Sequence, residues 1–523
     1  MVTVVVVLVT VAIATLYAYA TRNFRYWAVR GVRHDRPTPL FGNFYDGAFM
    51  RKSVAEIVAE IYWKYPHERI VGFFSFNRPE LIIRDPAIVK RIIQTDFAYF
   101  YPRGLNSHDE VIEPLMQNLF FADGDLWKLL RQRMTPAFTS GKLKAMFPLI
   151  EERAERLRER ATAAAAEGRT FDARDLMARY TTDFIGACGF GLDTDSLNDE
   201  HSEFRRLGVD IFKVDFRKAL TVILKDLFPE TCKYLRIMAD VESRLSTLVR
   251  SILKQRNYKP SRRNDFVDLL LECREKGLVV GESLEKFDKD GSPARATLDF
   301  SEDLIAAQIF VFFAAGFETS SSATSFTLHQ LAYHPQVQAK VHAEIDSVLA
   351  RHGGKLSYAA VKEMKYLECA FKEGMRMFPS LGYLVRKCAC PYTFADLEVS
   401  IEPGVRAFIP LQALHNDPQY FDSPEEFRPE RFLPEQFDAE KYKYIYLPFG
   451  DGPRVCIGAR LGLMQSLAGL AAVLAGLRVL PAPTTVRRPA VEPTANVVQA
   501  VRGGLPLLFQ LRRARAGTSA DVS

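Results

Sequence analysis

The ten residues 449–458, which read FGDGPRVCIG, constrain the fold more than any other stretch of the chain. A lone cysteine, Cys456, stands at the start of a long apolar helical run, where free backbone N–H groups favour a thiolate. Gly452 and Gly458 lack side chains, so the backbone can pass close to a large flat group. Arg454 offers a forked cation that suits a carboxylate. The set suits a haem, with sulfur on iron; the alternative is a structural cysteine in a Gly-Pro turn.

An uncharged apolar run at the N-terminus is the second constraint. Residues 2–20 carry no charge, and a helix of that length is roughly 28 Å long, enough to cross a hydrocarbon core. Arginines follow between positions 22 and 36, and positive flanks stay on the cytoplasmic side. The alternative is a signal peptide cleaved after Ala20, but no basic residue precedes the run. We predict an uncleaved anchor with the body in the cytosol.

Composition excludes several classes of function. With 523 residues, 48% of them hydrophobic, the chain can bury a large core, and a net charge of +6 does not indicate nucleic-acid binding. Seven scattered cysteines argue against a disulfide framework, and Cys388-x-Cys390 has no neighbouring histidine for a zinc site. Residues 281–300 are charged and predict a surface loop.

A long helix is predicted from Glu302 to Tyr333, and two residues near its middle are each energetically unfavourable there. Gly316 in mid-helix costs about 1 kcal/mol relative to alanine, and an ionised Glu318 in apolar surroundings is also costly. Ala315 and Thr319 are four apart and share a face, and the small residues Ala315 and Gly316 leave room for dioxygen. Thr319 can then bond oxygen and water while Glu318 relays protons. The alternative is a bent helix whose Ser/Thr-rich end bonds its own carbonyls.

Two further pairs of residues have helical spacing, and neither pair by itself strongly indicates a function. Trp127 and Arg131 lie on one face of a short helix, where an indole N–H and a guanidinium can bind one propionate. The alternative is a core tryptophan beside a surface arginine. Glu373 and Arg376 are three apart, but the same Glu-x-x-Arg string recurs elsewhere in the chain. The pair is therefore informative only in combination with the other motifs.

Together these motifs resemble the cytochrome P450 family of haem-thiolate monooxygenases, and the runs 126–150 and 415–432 look most like insect microsomal members of family six. The resemblance implies a mainly α fold with small β-sheets, formed by a single large haem domain behind an N-terminal membrane anchor. The implied boundaries are an anchor over 1–21, a basic and proline-containing linker over 22–45, the haem domain over 46–511 and a disordered tail over 512–523.

The resemblance also assigns roles to individual residues. It makes Cys456 the ligand of the iron in haem b. The residues implied to handle oxygen are Ala315, Gly316, Glu318 and Thr319. The residues implied to contact the haem are Trp127, Arg131, Arg386, His415, Phe449, Arg454 and Gly458, although a histidine satisfied in the core is the alternative for His415. Glu373, Arg376 and Arg431 would form an ionic triad that holds the haem loop. The expected substrate pocket includes Phe120, Phe121, Phe312 and Leu384.

The implied reaction inserts one oxygen atom from O2 into apolar small molecules, with xenobiotics such as plant toxins or insecticides as the expected substrates. No nicotinamide or flavin motif is found, so electrons should come from NADPH-cytochrome P450 reductase at the endoplasmic reticulum membrane, with cytochrome b5 open as a further donor. The cations expected to attract an acidic reductase are Lys128, Arg131, Arg133, Lys142 and Lys144. Two rivals are a haem-thiolate isomerase or dehydratase that needs no reductase, and a non-enzymatic haem sensor.

Overall fold

The computed structural model describes residues 1–261, 263, 265–495 and 497–512; the tail predicted to be disordered therefore lies, from residue 513 onward, outside the described residues. The α-helices are α1 (Val2–Thr21), α2 (Tyr26–Val29), α3 (Tyr45–Ala48), α4 (Val54–Lys64), α5 (Pro86–Lys90), α6 (Gly124–Met134), α7 (Ser140–Ala166), α8 (Ala173–Ile185), α9 (Glu203–Phe212), α10 (Phe216–Leu227), α11 (Pro229–Cys232), α12 (Ala239–Gln255), α13 (Phe266–Glu275), α14 (Glu302–Tyr333), α15 (Pro335–Arg351), α16 (Tyr358–Glu363), α17 (Lys365–Met377), α18 (Leu411–Leu414), α19 (Ala439–Tyr442) and α20 (Ala459–Gly476). The strands are β1 (Ile70–Ser75), β2 (Arg78–Ile83), β3 (Thr170–Asp172), β4 (Val279–Phe287), β5 (Pro293–Leu298), β6 (Leu384–Lys387), β7 (Tyr392–Phe394), β8 (Val399–Ile401), β9 (Arg406–Ile409), β10 (Leu477–Pro481) and β11 (Pro506–Leu511). The predicted class, mainly α with small sheets, is confirmed.

The strands form small sheets at the margins of the helical body. One sheet has the order β1-β2-β9-β6, in which β9 runs parallel to β2 and antiparallel to β6. A second has the order β10-β11-β3, and the pairs β4–β5 and β7–β8 form two hairpins. Strand β6 carries Arg386, and β9 leads towards α18 and His415, so the first sheet supports two of the predicted site residues.

Helix α14 is the centre of the large hydrophobic core, and its bounds are those the sequence predicts. It packs against α8, α17 and α20, and most of its residues are buried. Three helices are long and apolar enough to cross a membrane by length and composition, but α14 and α20 are mostly buried inside the protein. None of the apolar window of α1 is buried, so α1 is the one whose apolar surface has no place in the core.

The segment predicted to be a linker packs on the body of the protein. Trp27 is fully buried and donates from Nε1 to the carbonyl of Phe73 on β1. Gly72 allows this approach, since a Cβ there would overlap the Trp27 ring. Further along, Thr38 and Gly42 exchange backbone hydrogen bonds. The prediction of a separate spacer over 22–45 is therefore wrong, because a buried tryptophan attaches this segment to β1.

The charged loop predicted over 281–300 is instead largely the β4–β5 hairpin. It packs against α6, where the carboxylate of Asp125 accepts hydrogen bonds from Ser283 Oγ (2.7 Å) and from the Leu284 N–H (2.6 Å). Gly281 lies against the side chain of Leu129. The alternation of exposed charges with small and apolar residues is what permits one face of the hairpin to cover α6.

Candidate functional site

The cysteine loop folds back on itself just before α20. The N–H of Cys456 donates to the carbonyl of Phe449 over 2.9 Å, and the Gly458 N–H lies against the Cys456 sulfur. Cys456 presents accessible surface although protein atoms surround it densely, so its sulfur faces an interior space rather than a packed core. The alternative of a structural cysteine would leave the side chain packed against protein.

Burial raises the pKa of Cys456 above that of a free thiol, and the nearby Gly458 N–H, Arg103 and Arg131 offset this only in part. The Gly458 N–H at the start of α20 thus favours the thiolate, as the sequence predicts, but burial opposes it more strongly. A thiolate in this position requires a further positive charge, and a bound metal ion supplies one.

The missing side chains of Gly452 and Gly458 have different physical consequences. Gly452 has a φ of 71°, and a Cβ there would overlap the carbonyl of Ile93, so the backbone itself requires glycine. A Cβ at Gly458 would meet no protein atom within 4 Å. Only Gly458 therefore fits the idea that a missing side chain leaves room for a flat group.

Two buried arginines, Arg386 and Arg454, lie together with the half-buried Arg103 beside the loop; these three are the arginine group. Arg454 donates to the carbonyls of Tyr101 (3.0 Å) and Ala122 (2.9 Å) and to the carboxylate of Asp123 (2.8 Å). Arg103 donates to the carbonyl of Arg454. Arg386 donates to the carbonyl of Val385, and its buried Nε has no partner in the described part of the chain.

The pKa values of these arginines report an unbalanced positive charge. Burial, and then Arg103, lower the pKa of Arg454 to about 8, with Asp123 opposing the shift. Burial and Arg103 also lower the pKa of Arg386 to about 9, and burial lowers that of Arg103 to about 10. Buried guanidinium groups that are not matched by carboxylates need anions from elsewhere.

Trp127 and Arg131 border the same region. The guanidinium of Arg454 lies over the Trp127 ring at 4.0 Å, and Arg131 donates from Nη1 to the carbonyl of Val455 over 2.9 Å. Within the described residues, the Trp127 indole N–H donates to no protein acceptor. Both residues of this predicted pair thus adjoin the cysteine loop. Trp127 is also buried in the large hydrophobic core, as the alternative expects, whereas Arg131 is half-buried rather than a surface residue.

The donor set fits a porphyrin that carries carboxylates. A thiol that opens to an interior space can bind iron, while the arginine group and the free indole N–H can bind propionates. The orphaned Nε of Arg386 is the observation that tests this fit, because a buried donor without an acceptor is costly. Arg103 and Asp123 were not predicted, since no spacing in the sequence links them to the loop.

The structure brings Glu373, Arg376 and Arg431 together. Arg376 makes a bidentate pair with Glu373 (2.8 and 3.0 Å), and Arg431 Nε donates to the same carboxylate over 3.2 Å. The Arg428 N–H also donates to Glu373, and Arg376 donates to the Pro424 carbonyl, so the buried charges are well bonded.

His415 belongs to this triad rather than to the arginine group. Its carbonyl accepts from Arg376, its Nε2 accepts the Leu447 N–H over 2.9 Å, and its ring packs on Tyr446. Burial, then Arg376, lower the pKa of His415 to about 3, so the ring is neutral. The prediction that His415 donates to a propionate is corrected towards its alternative, a core histidine, of which Nε2 is satisfied while the buried Nδ1 has no partner within the described residues.

On α14, Ala315 and Gly316 have different surroundings and therefore different roles. Ala315 is exposed although Phe313 and Phe317 on either side are buried, so it faces an opening beside the helix. A Cβ at Gly316 would overlap the side chain of Ile185, so this glycine serves the close packing of α8 on α14. The idea that Gly316 makes room for dioxygen is corrected accordingly.

The acid and the alcohol of α14 both have protein partners. Glu318 forms an ion pair with Arg174 of α8, which also donates to the carbonyl of Gln499. Thr319 donates its hydroxyl proton to the carbonyl of Ala315 over 2.7 Å, which leaves its oxygen free to accept. Arg174 was not predicted; it removes the penalty expected for a lone Glu318, because the ion pair stabilises the carboxylate.

Three of the four predicted pocket residues lie near the arginine group. Phe120 and Phe121 contact each other edge to face, and Arg103 lies over Phe120 at 4.5 Å. Leu384 is the first residue of β6, two residues before Arg386, and lies beside Gly450. Phe312 differs: its ring stacks on Phe266 (3.4 Å between centroids) and on Phe138 (5.3 Å). The prediction for Phe312 is corrected, because aromatic packing with α13 occupies its ring.

Comparison with known proteins agrees with this site. The family model for cytochrome P450 matches residues 33–506. The chain is 37% identical to cytochrome P450 6B6 of Helicoverpa armigera over 95% of this chain and 96% of that protein. It is 38% identical to cytochrome P450 6a2 of Drosophila melanogaster (91% and 93% covered) and 35% identical to cytochrome P450 6k1 of Blattella germanica (96% of both).

The predicted resemblance to insect family six is therefore confirmed over most of the chain. Members of the family carry haem b with a cysteine thiolate as axial ligand of the iron, which is the chemistry that the donor set around the loop fits. The chain belongs to the cytochrome P450 family and is a haem-thiolate monooxygenase.

Proposed function

We propose that this enzyme is a membrane-anchored monooxygenase of the endoplasmic reticulum that oxidises apolar xenobiotics, such as plant toxins or insecticides, with electrons from NADPH through cytochrome P450 reductase. The observation that carries the proposal is the half-buried acid–alcohol pair of α14, Glu318 and Thr319, beside the accessible Ala315. An isomerase or a sensor has no need of a proton path at this place, whereas the reduction of dioxygen consumes protons.

The roles of the side chains follow from their contacts. Cys456 holds the iron, and Trp127, Arg103, Arg386 and Arg454 hold the propionates. The haem supplies the iron at which dioxygen is reduced and one oxygen atom passes to the substrate. Thr319 accepts a hydrogen bond from water at its Oγ1, since its own proton is donated to the carbonyl of Ala315.

Glu318 serves as the proton donor and acceptor between this hydroxyl and solvent. Arg174 keeps the carboxylate oriented between proton transfers, because its guanidinium pairs with Glu318. Apolar walls at Phe120, Phe121 and Leu384 favour apolar substrates and exclude water from the site.

The cations expected to bind the reductase divide into two groups. Lys128 lies 3.9 Å from Glu282 of the β4–β5 hairpin, Arg133 donates to the Gly277 carbonyl, and Arg131 is committed to the cysteine loop. Lys142 and Lys144, at the start of α7, are exposed and form no ion pair within the described residues. We therefore restrict the proposed docking surface to the start of α7.

This restriction leads to the first testable prediction. Lys142→Glu with Lys144→Glu should slow reduction of the enzyme by the reductase about tenfold at low salt, because both charges lose their attraction to an acidic partner. Wild-type reduction should slow as salt rises. The matched control is Lys128→Glu, whose ammonium already faces Glu282. Equal effects of the two changes, or no salt dependence, would contradict this surface.

The function itself is tested with full-length enzyme in vesicles, with and without reductase, on a panel of furanocoumarins, flavonoids and insecticides. We expect NADPH-dependent products that gain one oxygen by mass spectrometry, and only when reductase is present. Turnover without reductase would favour the isomerase. If the enzyme shows a normal reduced carbon monoxide spectrum but forms no product from any compound of the panel, the proposed substrate class is wrong. Retention of the enzyme in vesicles after a high-salt wash tests the anchor.

A further inference from the structure

Asp123 stands between the segments that carry the arginine group. Its Oδ1 accepts hydrogen bonds from the Arg103 N–H (2.7 Å) and from Arg454 Nη2 (2.8 Å), and its Oδ2 accepts from the Gly104 N–H (2.9 Å). These bonds join the loop before α6 to the cysteine loop, which lies more than three hundred residues later in the chain.

The position of Asp123 would suit an ordinary helix cap, but its side chain does not act as one. It precedes α6 as the N-cap residue, and it accepts no hydrogen bond from the first turn of that helix. All three of its hydrogen bonds go to Arg103, Gly104 and Arg454. Helix stability therefore does not explain this carboxylate.

The negative charge of Asp123 explains its position better than helix capping does. Arg103, Arg386 and Arg454 affect one another electrostatically, and Asp123 is the carboxylate that opposes them, while Arg131 and Cys456 act on Arg103 with opposite signs. Three cations against one anion leave an excess of two positive charges. A porphyrin with two propionates brings two negative charges, which is the number needed for neutrality.

We propose that Asp123 is a positioning residue for the haem: it holds Arg103 and Arg454 in place and sets the excess charge of the arginine group at the value that two propionates neutralise. The proposal rests on the proposed assignment of these arginines to the propionates. Because the charge of the iron centre changes by one on reduction, the net charge of this group also affects how readily the iron accepts an electron.

The test uses the full-length haem-containing enzyme and measures the midpoint potential of the iron by reductive titration. Asp123→Asn keeps the shape of the side chain and removes its charge, so the added positive excess should shift the potential upward. Asp123→Glu retains the charge and should leave the potential near that of the wild type. A purely structural role would not produce this difference between the two variants.

A matched control and a compensated variant complete the experiment. Asp125→Asn changes a carboxylate two residues away that bonds only the β4–β5 hairpin, and it should leave the potential unchanged. Asp123→Asn combined with Arg103→Gln restores the charge excess and should return the potential towards the wild-type value. If Asp123→Asn alone retains no haem, this double variant should regain it.

The proposal is overturned if Asp123→Asn leaves the potential unchanged, if Asp125→Asn shifts it equally, or if neither the single nor the compensated variant retains haem. These outcomes are separable from failure of the proposed function. A wild-type enzyme that oxidises no compound of the panel while Asp123→Asn shifts its potential would contradict the substrate class alone.

Discussion

Cys456 illustrates how much a single side chain depends on its surroundings. Its N–H is bonded to Phe449, and Gly452 is held in a left-handed conformation against the backbone of Ile93. The loop is therefore fixed by backbone contacts before any cofactor is considered. Burial raises the pKa of this thiol and the Gly458 N–H at the start of α20 lowers it, and bound iron would add further stabilisation to the thiolate.

Replacing this sulfur gives the sharpest prediction at the residue scale. Cys456→Ser should fold, because the Phe449 and Gly458 backbone contacts remain, but it should lose the absorption band typical of reduced, carbon monoxide-bound haem-thiolate. The measurement is the difference spectrum of the purified membranes. Cys188→Ser is the control, since that buried cysteine is distant in sequence and its thiol pKa is raised far above neutrality. A persistent band in Cys456→Ser would refute the assignment.

The acid of α14 gives a second residue-scale prediction. Glu318→Gln removes a proton-transfer group and leaves Arg174 unpaired, so product formed per NADPH should fall roughly tenfold or more while hydrogen peroxide release rises. Both quantities are measured in the reconstituted system with reductase. Glu363→Gln, which removes a surface acid paired with Arg351 and His352, should change neither. Unchanged coupling in Glu318→Gln would exclude it from proton transfer.

The sequence predicted those site residues that lie in short spaced motifs. Cys456, Arg454, Trp127 and Arg131 were found because one loop or one helical face contains their pattern. The ion pairs Asp123–Arg454 and Arg174–Glu318 could not be predicted, because the partners of each lie more than a hundred residues apart and only the tertiary fold joins them. No helical or strand periodicity carries that information.

At the scale of elements, the long helices were more predictable than what covers them. α14 has the predicted bounds because an apolar run with a Ser301 N-cap defines them. The β4–β5 hairpin was missed, since its exposed strands have the composition of a loop and only packing on α6 selects the strand form. Trp27 was missed for a related reason, as its partner surface lies on β1.

A buried ion pair connects two elements at the edge of the helical body. Lys225 of α10 donates to Glu113, whose carboxylate also accepts the N–H groups of Ile237 and Met238 before α12. Asp226 beside it accepts from Ser107 of the same loop as Glu113, and Arg78 donates to its carbonyl. These bonds hold the loop before α6 against α10.

Loss of the carboxylate should release that contact. Glu113→Gln leaves the buried Lys225 ammonium without an anion, and we expect a loss of about 3 kcal/mol in unfolding free energy together with faster proteolysis between α10 and α12. Urea unfolding and limited proteolysis measure the two effects. Adding Lys225→Met should recover most of the stability. Glu60→Gln, at an exposed pair with Lys52, is the control and should cost little.

For the whole molecule, the buried ionisable groups decide the response to acid. Burial lowers the pKa of His415 to about 3 and that of His342 to about 4. Both rings are neutral in the folded protein near pH 7 and bind a proton more readily once the chain unfolds. Between about pH 6.5 and those folded-state values the unfolded chain therefore binds more protons than the folded one.

Stability contributed by His415 should thus be complete above about pH 6.5 and decline as the pH falls towards 3, by about 2 kcal/mol at pH 5. The measurement compares urea unfolding at pH 7 and pH 5. His415→Gln retains an acceptor for the Leu447 N–H and removes the titrating ring, so the difference between the two pH values should shrink. His67→Gln, at an exposed site, should retain the full difference. Equal pH dependence in His415→Gln and wild type would mean that the ring is already protonated in the folded protein, and that other groups cause the acid sensitivity.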